Sequence, residues 1–340
     1  MKHKVAVVIL NWNGKFFLEK FLPKVISYSL NAQIVVADNC STDDSIEFVS
    51  TQYPNVQIIK NTSNDGFAQG YNLALKQIEA EYYILLNSDV EVTENWINPI
   101  IQLMDKDKDI AACQPKILDY NSPHLFEYAG ASGGYIDKYA YPFCRGRIFN
   151  VLEEDKHQYD ELKEVFWATG ACMFVRAEAF WSVNGFDSDY FAHMEEIDLC
   201  WRMKNIGYKI YVQPQSIVYH VGGGTLHKLS PKKTFLNFRN NLITLTKNSA
   251  SSFLFFKVFY RMVLDGVAAI KFLVEGSFQH FMAVIKAHFS FYAYLPSTLH
   301  KRKQLKKHPN YHPSKTQVFN KNIVFEHFIK GKKTFNDLTF

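Results

Sequence analysis

Cysteine is scarce in this 340-residue chain, and its spacing excludes two common kinds of site. The cysteines are Cys40, Cys113, Cys144, Cys172 and Cys200. Their number is odd and no pair has CxxC spacing, which argues against a disulfide framework and against a zinc site. Such a set is typical of a protein in a reducing compartment, so we expect a cytoplasmic location.

Long apolar runs are missing as well. No run of about 20 apolar residues is free of charge, so the sequence predicts no conventional membrane-spanning helix. The apolar run at residues 5–10 ends at Asn11, and this is shorter than the apolar core of a secretory signal peptide.

The glycine-rich motifs of several enzyme classes do not occur. The turn after the first apolar run reads LNWNGKFF and has one glycine, so the dinucleotide fingerprint of dehydrogenases is absent. A nucleotidyltransferase would place a glycine-rich, arginine-bearing loop there, and that is also missing. The chain has no Walker loop.

Acidic residues are few in the last third of the chain. Residues 231–340 hold 18 Lys/Arg, 4 Asp/Glu and 16 of the 29 Phe, whereas residues 1–230 hold 20 Lys/Arg and 29 Asp/Glu. We therefore predict two parts. Residues 1–230 form an enzyme domain, and residues 231–340 form a basic, aromatic-rich helical region suited to an anionic surface.

Short apolar runs alternate with helical patterns over the first hundred residues. The predicted strands are residues 5–10, 33–37, 56–60 and 82–86. The predicted helices are residues 16–27, 42–52 and 67–80. Ser41 is the N-cap candidate of the second helix. The alternation predicts an α/β fold with a mainly parallel sheet and helices on both faces.

Polar residues follow each predicted strand, at the edge where parallel α/β sheets bind their ligands. They are Asn11, Asn13, Asp38, Asn39, Asn61 and Asn87–Asp89. Strand-end turns are often rich in Asn and Asp, which explains any single one but explains the set less well. Asp89 suits a hard divalent cation that is held mainly by a diphosphate. Asp38 lies where nucleotide-binding α/β folds carry an acid for a ribose or base.

Several segments resemble, in order, the motifs of family 2 glycosyltransferases, and most nearly the rhamnosyltransferase-like branch. They are VVILNWNG, VVADNCSTDDS, NDGFAQGYN, YILLNSDVEV, GACMFVRAEAF…VNGFDSDYF, EEIDLCWR and VYHVGGGT, within residues 4–225. The resemblance implies a GT-A fold with a Rossmann-like sheet and a nucleotide-diphospho-sugar donor. It also implies a divalent metal and inversion at the anomeric carbon.

The resemblance also assigns roles to residues around the donor. The nucleotide-binding residues it implies are Asn11, Asn13, Asp38, Asp65, Gly66, Asn72 and Asn87. Asn87 replaces the first acid of the family's D-x-D motif, so it can still hydrogen-bond a ribose but adds no charge. Asp89 matches the metal-binding aspartate of that motif, and His220 matches a histidine that completes the metal site in many relatives. A mixed Asp and His shell tolerates Mn²⁺ better than Mg²⁺, and we expect one of these two ions.

The family's catalytic base lies in an acidic pair, which here reads Glu195-Glu196. The resemblance implies Glu196, in the second position, as the base that takes the acceptor's proton, with Glu195 as the alternate. Relatives usually have Asp in that second position. An acidic first turn also favours the helix dipole on its own, without any catalytic role.

Two further residues are implied near the site. Arg202 is often close to the site in relatives, but it could also pair with Asp198 across one helical turn. Trp167, like Phe191, could shape the acceptor cleft or lie in the core.

The basic region contains helical patterns at residues 252–276 and 278–295, followed by the basic run at 300–308. In projection the polar residues of the first pattern fall within an arc of roughly 120°, and the remaining face is apolar. They are Lys257, Arg261, Asp265, Lys271 and Glu275. The two helices could pack on the catalytic domain or on a second subunit of a homodimer. We favour the membrane interface, with the basic run against anionic headgroups. No nucleic-acid motif accompanies that run.

These patterns together predict an inverting, metal-dependent glycosyltransferase. It would move a hexose or deoxyhexose, with rhamnose the first to test, to a hydroxyl of a cell-surface glycan or lipid-linked acceptor. We expect it at the inner face of the cytoplasmic membrane as a peripheral protein. Two alternatives stay open: a nucleotidyltransferase on a related α/β fold, and an inactive membrane-associated scaffold of the same fold.

Overall fold

The computed structural model describes residues 3–222 and 230–340, and fourteen strands within these ranges form two sheets. The strands are β1 (His3–Asn11), β2 (Gln33–Asp38), β3 (Gln57–Lys60), β4 (Ala80–Asn87), β5 (Val90–Val92), β6 (Ile110–Asp119), β7 (Gly134–Asp137), β8 (Pro142–Cys144), β9 (Arg147–Ile148), β10 (Val151–Leu152), β11 (Lys163–Val165), β12 (Cys172–Arg176), β13 (Lys209–His220) and β14 (Val318–Phe319). The larger sheet has the order β11-β13-β6-β12-β4-β1-β2-β3, and β5 pairs with β13. Strands β7 to β10 and β14 form the smaller sheet.

Ten α-helices occur within the same described ranges. They are α1 (Lys15–Ser27), α2 (Ser45–Gln52), α3 (Gly66–Leu75), α4 (Asn98–Lys106), α5 (Ala177–Ser182), α6 (Glu195–Lys204), α7 (Pro231–Asn248), α8 (Leu254–Val274), α9 (Phe278–Leu305) and α10 (Ile323–Phe328). Buried apolar residues of α1, α2 and α4 join one core cluster, and those of α3, α5 and α6 join the other. Helices therefore cover both faces of the larger sheet, and the predicted α/β fold class is confirmed.

One half of the larger sheet is parallel. Strand β1 pairs in parallel with β2 and β4, and β2 pairs in parallel with β3. Because helices cover both faces here, Val7 and Val8 are both fully buried, one in each core cluster. Strand β12 lies antiparallel between β4 and β6, and it pairs Cys172 with Leu86. That register brings the start of β12 to the carboxyl end of β4.

Two predicted helix boundaries are wrong. Helix α2 begins at Ser45, with Asp44 in the N-cap position, rather than at residue 42. The hydroxyl of Ser41 instead accepts hydrogen bonds from Asn11 Nδ2 (3.1 Å) and from the Asn13 backbone N–H (2.9 Å). Helix α3 ends at Leu75 rather than at residue 80, because the chain turns there and residue 80 already begins β4.

The C-terminal region packs against the enzyme part. Leu242, Ile243 and Leu245 of α7 belong to the same core cluster as the buried residues of α6. The division of the chain at residue 230 stays a prediction. Among the described residues, no helix is both long enough and apolar enough to cross a bilayer.

Candidate active site

The carboxyl ends of three neighbouring parallel strands bring polar side chains to one edge. The register pairs Asn11 with Asp38 across β1 and β2, and it pairs Leu10 with Asn87 across β1 and β4. Since adjacent strands lie about 4.8 Å apart, Asp38 and Asn87 flank β1 at about 10 Å from each other. Asp89 follows two residues after Asn87 and is buried. The predicted strand-end residues therefore line one edge of the sheet.

Asn11 organises the loop that follows β2. Its side chain is fully buried, and Nδ2 donates hydrogen bonds to Asp38 Oδ1 (3.2 Å), Ser41 Oγ (3.1 Å) and Ser45 Oγ (2.9 Å). The other oxygen of Asp38 accepts from the Ser41 backbone N–H at 3.1 Å. Asn13 is exposed, and its Oδ1 accepts from the Thr42 backbone N–H at 2.7 Å. These bonds fix the Asp38 carboxylate at the edge of the sheet before any ligand arrives.

Gly14 packs closely against the side chain of Asn11. A Cβ on Gly14 would lie 2.5 Å from Asn11 Oδ1, so a larger residue would displace the Asn11 side chain. Asn11 Oδ1 is buried and has no hydrogen-bond partner. A buried acceptor without a partner is costly in a folded protein. A ligand that donates a hydrogen bond at this position would remove that cost.

The NDGFAQGYN segment supports the edge mainly from behind. Gly66 has φ of 88°, and a Cβ there would lie 2.2 Å from the Phe191 carbonyl oxygen. Asn72 is buried and exchanges hydrogen bonds with the backbone of Phe186, at 2.8 Å from Nδ2 and 3.0 Å to Oδ1. Asp65 is exposed at the N-cap of α3. In this structure the side chain of Asn72 therefore fastens α3 to the loop before α6.

A second buried cluster lies where β5 and β13 meet. His220 Nε2 lies 3.1 Å from Asp89 Oδ1, and His220 Nδ1 lies 3.3 Å from Glu127 Oε1. All three side chains are buried. Burial alone would lower the pKa of His220, but the carboxylates of Glu127 and Asp89 raise it to about 10. The cluster therefore favours a positive charge between its two carboxylates.

These residues fit a divalent cation in one particular way. Asp89 and the Nε2 side of His220 face each other, so both could bind one ion. Glu127 faces the other ring nitrogen, and a carboxylate in that position orients a metal-binding histidine. Sequence analysis missed Glu127; its one signal is an isolated acid within the apolar stretch LFEYA. Residues 223–225 of the VYHVGGGT segment lie outside the described residues.

Another acidic group among the described residues is Asp155, His157 and Asp160. The ammonium group of the buried Lys116 lies 2.8 Å from Asp155 Oδ2 and also contacts Asp160. A lysine already supplies positive charge there, and His157 is exposed. This group is therefore a poorer fit for a cation than the Asp89 and His220 pair.

The acidic pair lies in the first turn of α6, after an unusual turn. His193 and Met194 both have left-handed backbone conformations, with φ of 70° and 74°. The amide of Asn240, on α7, donates hydrogen bonds to the carbonyl oxygens of Ala192 (2.9 Å) and His193 (2.8 Å). Non-glycine residues in this region are strained and need support from their surroundings. Asn240 supplies that support across the boundary predicted at residue 230.

Both carboxyl groups of the pair are perturbed. Burial raises the pKa of Glu196 to about 7. Burial and the neighbouring Glu196 carboxyl raise the pKa of Glu195 well above its usual range. One buried oxygen of each carboxyl has no hydrogen-bond partner. A carboxyl with pKa near 7 is suited to general base chemistry at neutral pH.

The acidic pair lies close to the strand ends. A Cβ on Gly170 would lie 3.9 Å from Glu196 Cβ, and the next residue, Ala171, accepts a hydrogen bond from the Asn87 backbone N–H at 2.9 Å. The Phe67 backbone N–H, in α3, donates to the Phe191 carbonyl at 2.7 Å. Glu196 is therefore separated from the end of β4 by a single layer of backbone.

Two other predicted residues are engaged inside the protein. Arg202 pairs with Asp198 at 2.8 Å, as the sequence allowed, and donates to the Val183 carbonyl at 2.6 Å. Asp198 also pairs with Lys247 of α7 at 2.8 Å. Trp167 is buried, and its Nε1–H donates to the Tyr135 carbonyl at 2.9 Å.

Known proteins with similar sequences include two rhamnosyltransferases. The N-acetylglucosaminyl-diphospho-decaprenol L-rhamnosyltransferase of Mycobacterium tuberculosis (strain ATCC 25618 / H37Rv) is 24% identical over 241 residues, which cover 66% of this chain and 78% of the relative. Rhamnosyltransferase WbbL of Escherichia coli (strain K12) is 24% identical over 225 residues, covering 64% of this chain and 83% of the relative.

A solved structure shares the fold. The crystal structure of GalNAc-T7 with UDP, GalNAc and Mn²⁺ superposes with a TM-score of 0.56 at 18% identity. The match covers 72% of this chain and 48% of GalNAc-T7, so this chain spans about half of that protein. The fold is the GT-A fold, as the sequence implied. The model of the family "Glycosyl transferase family 2" matches residues 6–183, more than half of the chain, and the protein therefore belongs to glycosyltransferase family 2.

Proposed function

We propose that the protein transfers a sugar from a nucleotide-diphosphate donor to a hydroxyl of a glycan or lipid-linked acceptor, with inversion at the anomeric carbon. One observation carries the proposal. Asp38 and Asp89 lie on one edge of the parallel sheet, and Glu196, whose pKa is raised to about 7, lies one backbone layer away. These three groups supply a nucleotide contact, a cation ligand and a proton acceptor.

The donor would lie along the carboxyl ends of β1, β2 and β4. Asp38 would accept hydrogen bonds from the ribose or base, with Asn11, Asn13 and Asn87 beside it. The backbone around Asp65 and Gly66 would close the pocket on one side. Two relatives are named as rhamnosyltransferases, so nucleotide-activated L-rhamnose is the first donor to test.

A divalent cation would be held by Asp89 and His220, with Glu127 as a positioning residue. When bound, such an ion neutralises charge on the diphosphate leaving group. The mixed carboxylate and imidazole donors favour Mn²⁺ over Mg²⁺. Solved GalNAc-T7, which shares the fold, was crystallised with Mn²⁺.

Glu196 would act as the catalytic base. The acceptor oxygen forms a bond to the sugar C1, the bond from C1 to the diphosphate oxygen breaks, and the hydroxyl proton passes to the Glu196 carboxylate. The nucleoside diphosphate leaves with the bonding electron pair. An unionised hydroxyl is a weak nucleophile, so removing its proton in the transition state accelerates the step.

We further propose that the reaction takes place at the inner face of the cytoplasmic membrane, with the protein attached peripherally. Residues 231–340 carry 18 Lys/Arg against 4 Asp/Glu, which favours an anionic surface. The relative from Mycobacterium tuberculosis is named for an acceptor carried on decaprenol diphosphate.

Cys40 offers a direct test of donor binding. It is exposed in the loop after Asp38, whereas the other four cysteines are buried, so a thiol reagent should label one site. We expect the correct nucleotide-sugar with Mn²⁺ to slow labelling of Cys40, as measured by mass spectrometry. The same ligand should stabilise the protein by about 2.7 kcal/mol at a hundredfold excess over Kd.

Two variants control this test. Cys40→Ser should abolish labelling, and Asp38→Asn should keep labelling but lose most of the protection. If no UDP, dTDP or GDP sugar changes the labelling rate or the melting temperature, the proposed donor class is wrong.

Asn240→Ala tests how the base helix is positioned. The variant loses both hydrogen bonds to the left-handed turn before α6, so Glu196 should be placed less well. We expect kcat to fall about tenfold and KM for the donor to stay unchanged, in line with a cost of about 1.4 kcal/mol per factor of ten. The exposed Asn98→Ala is the control. Equal changes of kcat in both variants, or an effect on donor KM alone, would contradict this role.

A further inference from the structure

Helix α8 has its polar stripe on the inside. Arg261 and Asp265 are buried and form an ion pair at 2.9 Å. The Arg261 guanidinium also stacks over the ring of Tyr141, 3.4 Å from its centroid, and donates to the Tyr139 carbonyl at 3.3 Å. Asn241 of α7 accepts a further hydrogen bond from Arg261. The polar centre of α8 therefore fastens it to the smaller sheet and to α7.

The opposite face of α8 is apolar and points outward. It includes Phe255, Phe256, Phe259, Val263, Val267 and Ile270, which we call the α8 surface. The exposed fractions of these side chains range from 48% at Val263 to 77% at Phe255. At 100° per residue they fall within an arc of about 120°. A water-soluble helix normally has the reverse arrangement, so the α8 surface needs a partner.

The apolar area continues beyond α8. Asn322, the N-cap of α10, donates a hydrogen bond to the hydroxyl of Tyr260 at 3.2 Å, which places α10 beside α8. Phe325 and Phe328 of α10 are exposed. The surface is therefore built from two elements and extends past a single helix.

Charges near this surface are mainly basic. On α8 the exposed Lys271 borders the apolar arc, and the exposed Lys330, which follows α10, lies next to Phe325. The exposed acid nearby, Glu275, pairs with Lys271 at 3.3 Å. Apolar residues rimmed by lysine match a bilayer with anionic headgroups, because the rings enter the acyl boundary while ammonium groups stay at the headgroups.

A second copy of the chain is a poorer match. A two-fold interface through the α8 surface would bring two basic regions together, each with 18 Lys/Arg and 4 Asp/Glu. Like charges at the rim of an interface oppose association. Charge complementarity therefore selects the lipid surface over a homodimer.

We propose that the α8 surface lies in the interface of an anionic bilayer, with α8 parallel to the membrane plane. The parallel orientation follows because the α8 surface runs from Phe255 to Ile270, along most of the length of the helix. This inference extends the proposed function to the surface that meets the membrane. Its test needs neither donor nor acceptor, so the two can fail separately.

The test measures binding of the full-length protein to vesicles by flotation. Wild-type protein should bind phosphatidylcholine–phosphatidylglycerol vesicles and bind phosphatidylcholine vesicles less, and added salt should weaken the anionic preference. The triple variant Phe256→Ser/Phe259→Ser/Val263→Ser should bind about 100-fold more weakly, because each apolar side chain contributes to insertion. These residues are exposed, so the variant should keep its fold and its circular dichroism spectrum.

The matched control replaces exposed apolar residues elsewhere, as Tyr28→Ser/Leu30→Ser/Leu162→Ser, and should bind like wild type. In the variant Val267→Trp, brominated lipids should quench the fluorescence of the new tryptophan, because its side chain would enter the acyl boundary. Wild-type protein that does not bind anionic vesicles would overturn the proposal, and so would a triple variant that binds them as tightly as wild type. A third contrary result would be a wild-type protein that is a dimer and does not bind vesicles, together with a triple variant that is a monomer. The third would assign the α8 surface to a second copy.

Discussion

Replacing Glu196 by glutamine should lower kcat about 1000-fold while the fold and the donor affinity are kept. Glutamine has nearly the same shape as glutamate but cannot accept the acceptor's proton. The measurement is kcat and KM for sugar transfer, with the product followed by mass spectrometry. Glu195→Gln is the matched control, since it removes the adjacent carboxyl and should cost much less. A larger loss in Glu195→Gln would move the base to Glu195.

The pH dependence of the wild-type enzyme tests the same residue. The base must be ionised, and burial raises the pKa of Glu196 from 4.5 to about 7. Activity should therefore rise with pH through about 7 rather than through about 4.5. Glu196→Asp introduces the residue that is usual in the family and should keep part of the activity. The pH at which the activity of this variant rises should differ from that of the wild type. An acidic limb near 4.5 in the wild type would exclude a buried base.

The raised pKa of Glu196 also affects stability, with a definite sign. The folded state holds a proton on this carboxyl that the unfolded state releases above about pH 4.5. Stability should therefore fall as pH rises from about 4.5 to about 7. Because glutamine does not ionise, Glu196→Gln should melt at a higher temperature than wild type above pH 7 and at the same temperature near pH 4.5.

Replacing Asp89 by asparagine should also lower activity about 1000-fold. Asparagine keeps the size and one oxygen but removes the negative charge that would hold a cation beside the diphosphate. Binding of Mn²⁺ in the presence of the nucleoside diphosphate, followed by electron paramagnetic resonance, should weaken in parallel.

Asp160→Asn controls for a cation at the other acidic group of the chain. Asp160 belongs to the group that Lys116 already neutralises, so this variant should keep its activity and its Mn²⁺ affinity. The reverse result, in which Asp160→Asn is impaired and Asp89→Asn is intact, would place the cation at the group that contains Asp160 instead of at Asp89. Full activity in both variants would exclude a required cation at either carboxylate, whereas a wild-type protein without transfer activity would favour the inactive scaffold.

Local sequence patterns predicted the strands and helices well where these depend mainly on residues that are close in sequence. Strands β1 to β4 lie where apolar runs predicted them, because helices cover both faces of the sheet and the central positions of these strands are apolar. The start of α2 was wrong because Ser41 uses its hydroxyl on Asn11 and Asn13, which lie about one strand–helix unit earlier in the chain. A capping preference considers only residues that are close in sequence. Here the Ser41 hydroxyl accepts its hydrogen bonds from residues that are close only in space.

Long-range partners explain what sequence analysis missed in the site. Asp89 and His220 are 131 residues apart. Asp89 was found from its place after a strand and from the family motifs, whereas His220 was found through the family motifs alone. Glu127 and Asn240 belong to no such motif, so their roles appear only when their partners, His220 and the turn before α6, are placed beside them.

The helical projection of α8 separated its polar and apolar faces correctly, but periodicity alone says nothing of which face meets the protein. The polar face lies inside because Arg261 and Asp265 satisfy each other and find further partners at Tyr139 and Tyr141.

The ion pair between Asp198 and Lys247 has a consequence for how this enzyme can be divided. A chain ending at residue 230 would leave the fully buried Asp198 with Arg202 but without Lys247, and it would remove Leu242 and Leu245 from the core. Removing one partner of a buried ion pair costs several kcal/mol. Helix α7 therefore shares one core with residues of the first 230. Chimaeras that exchange lipid-facing ends between relatives should be joined after Asn248.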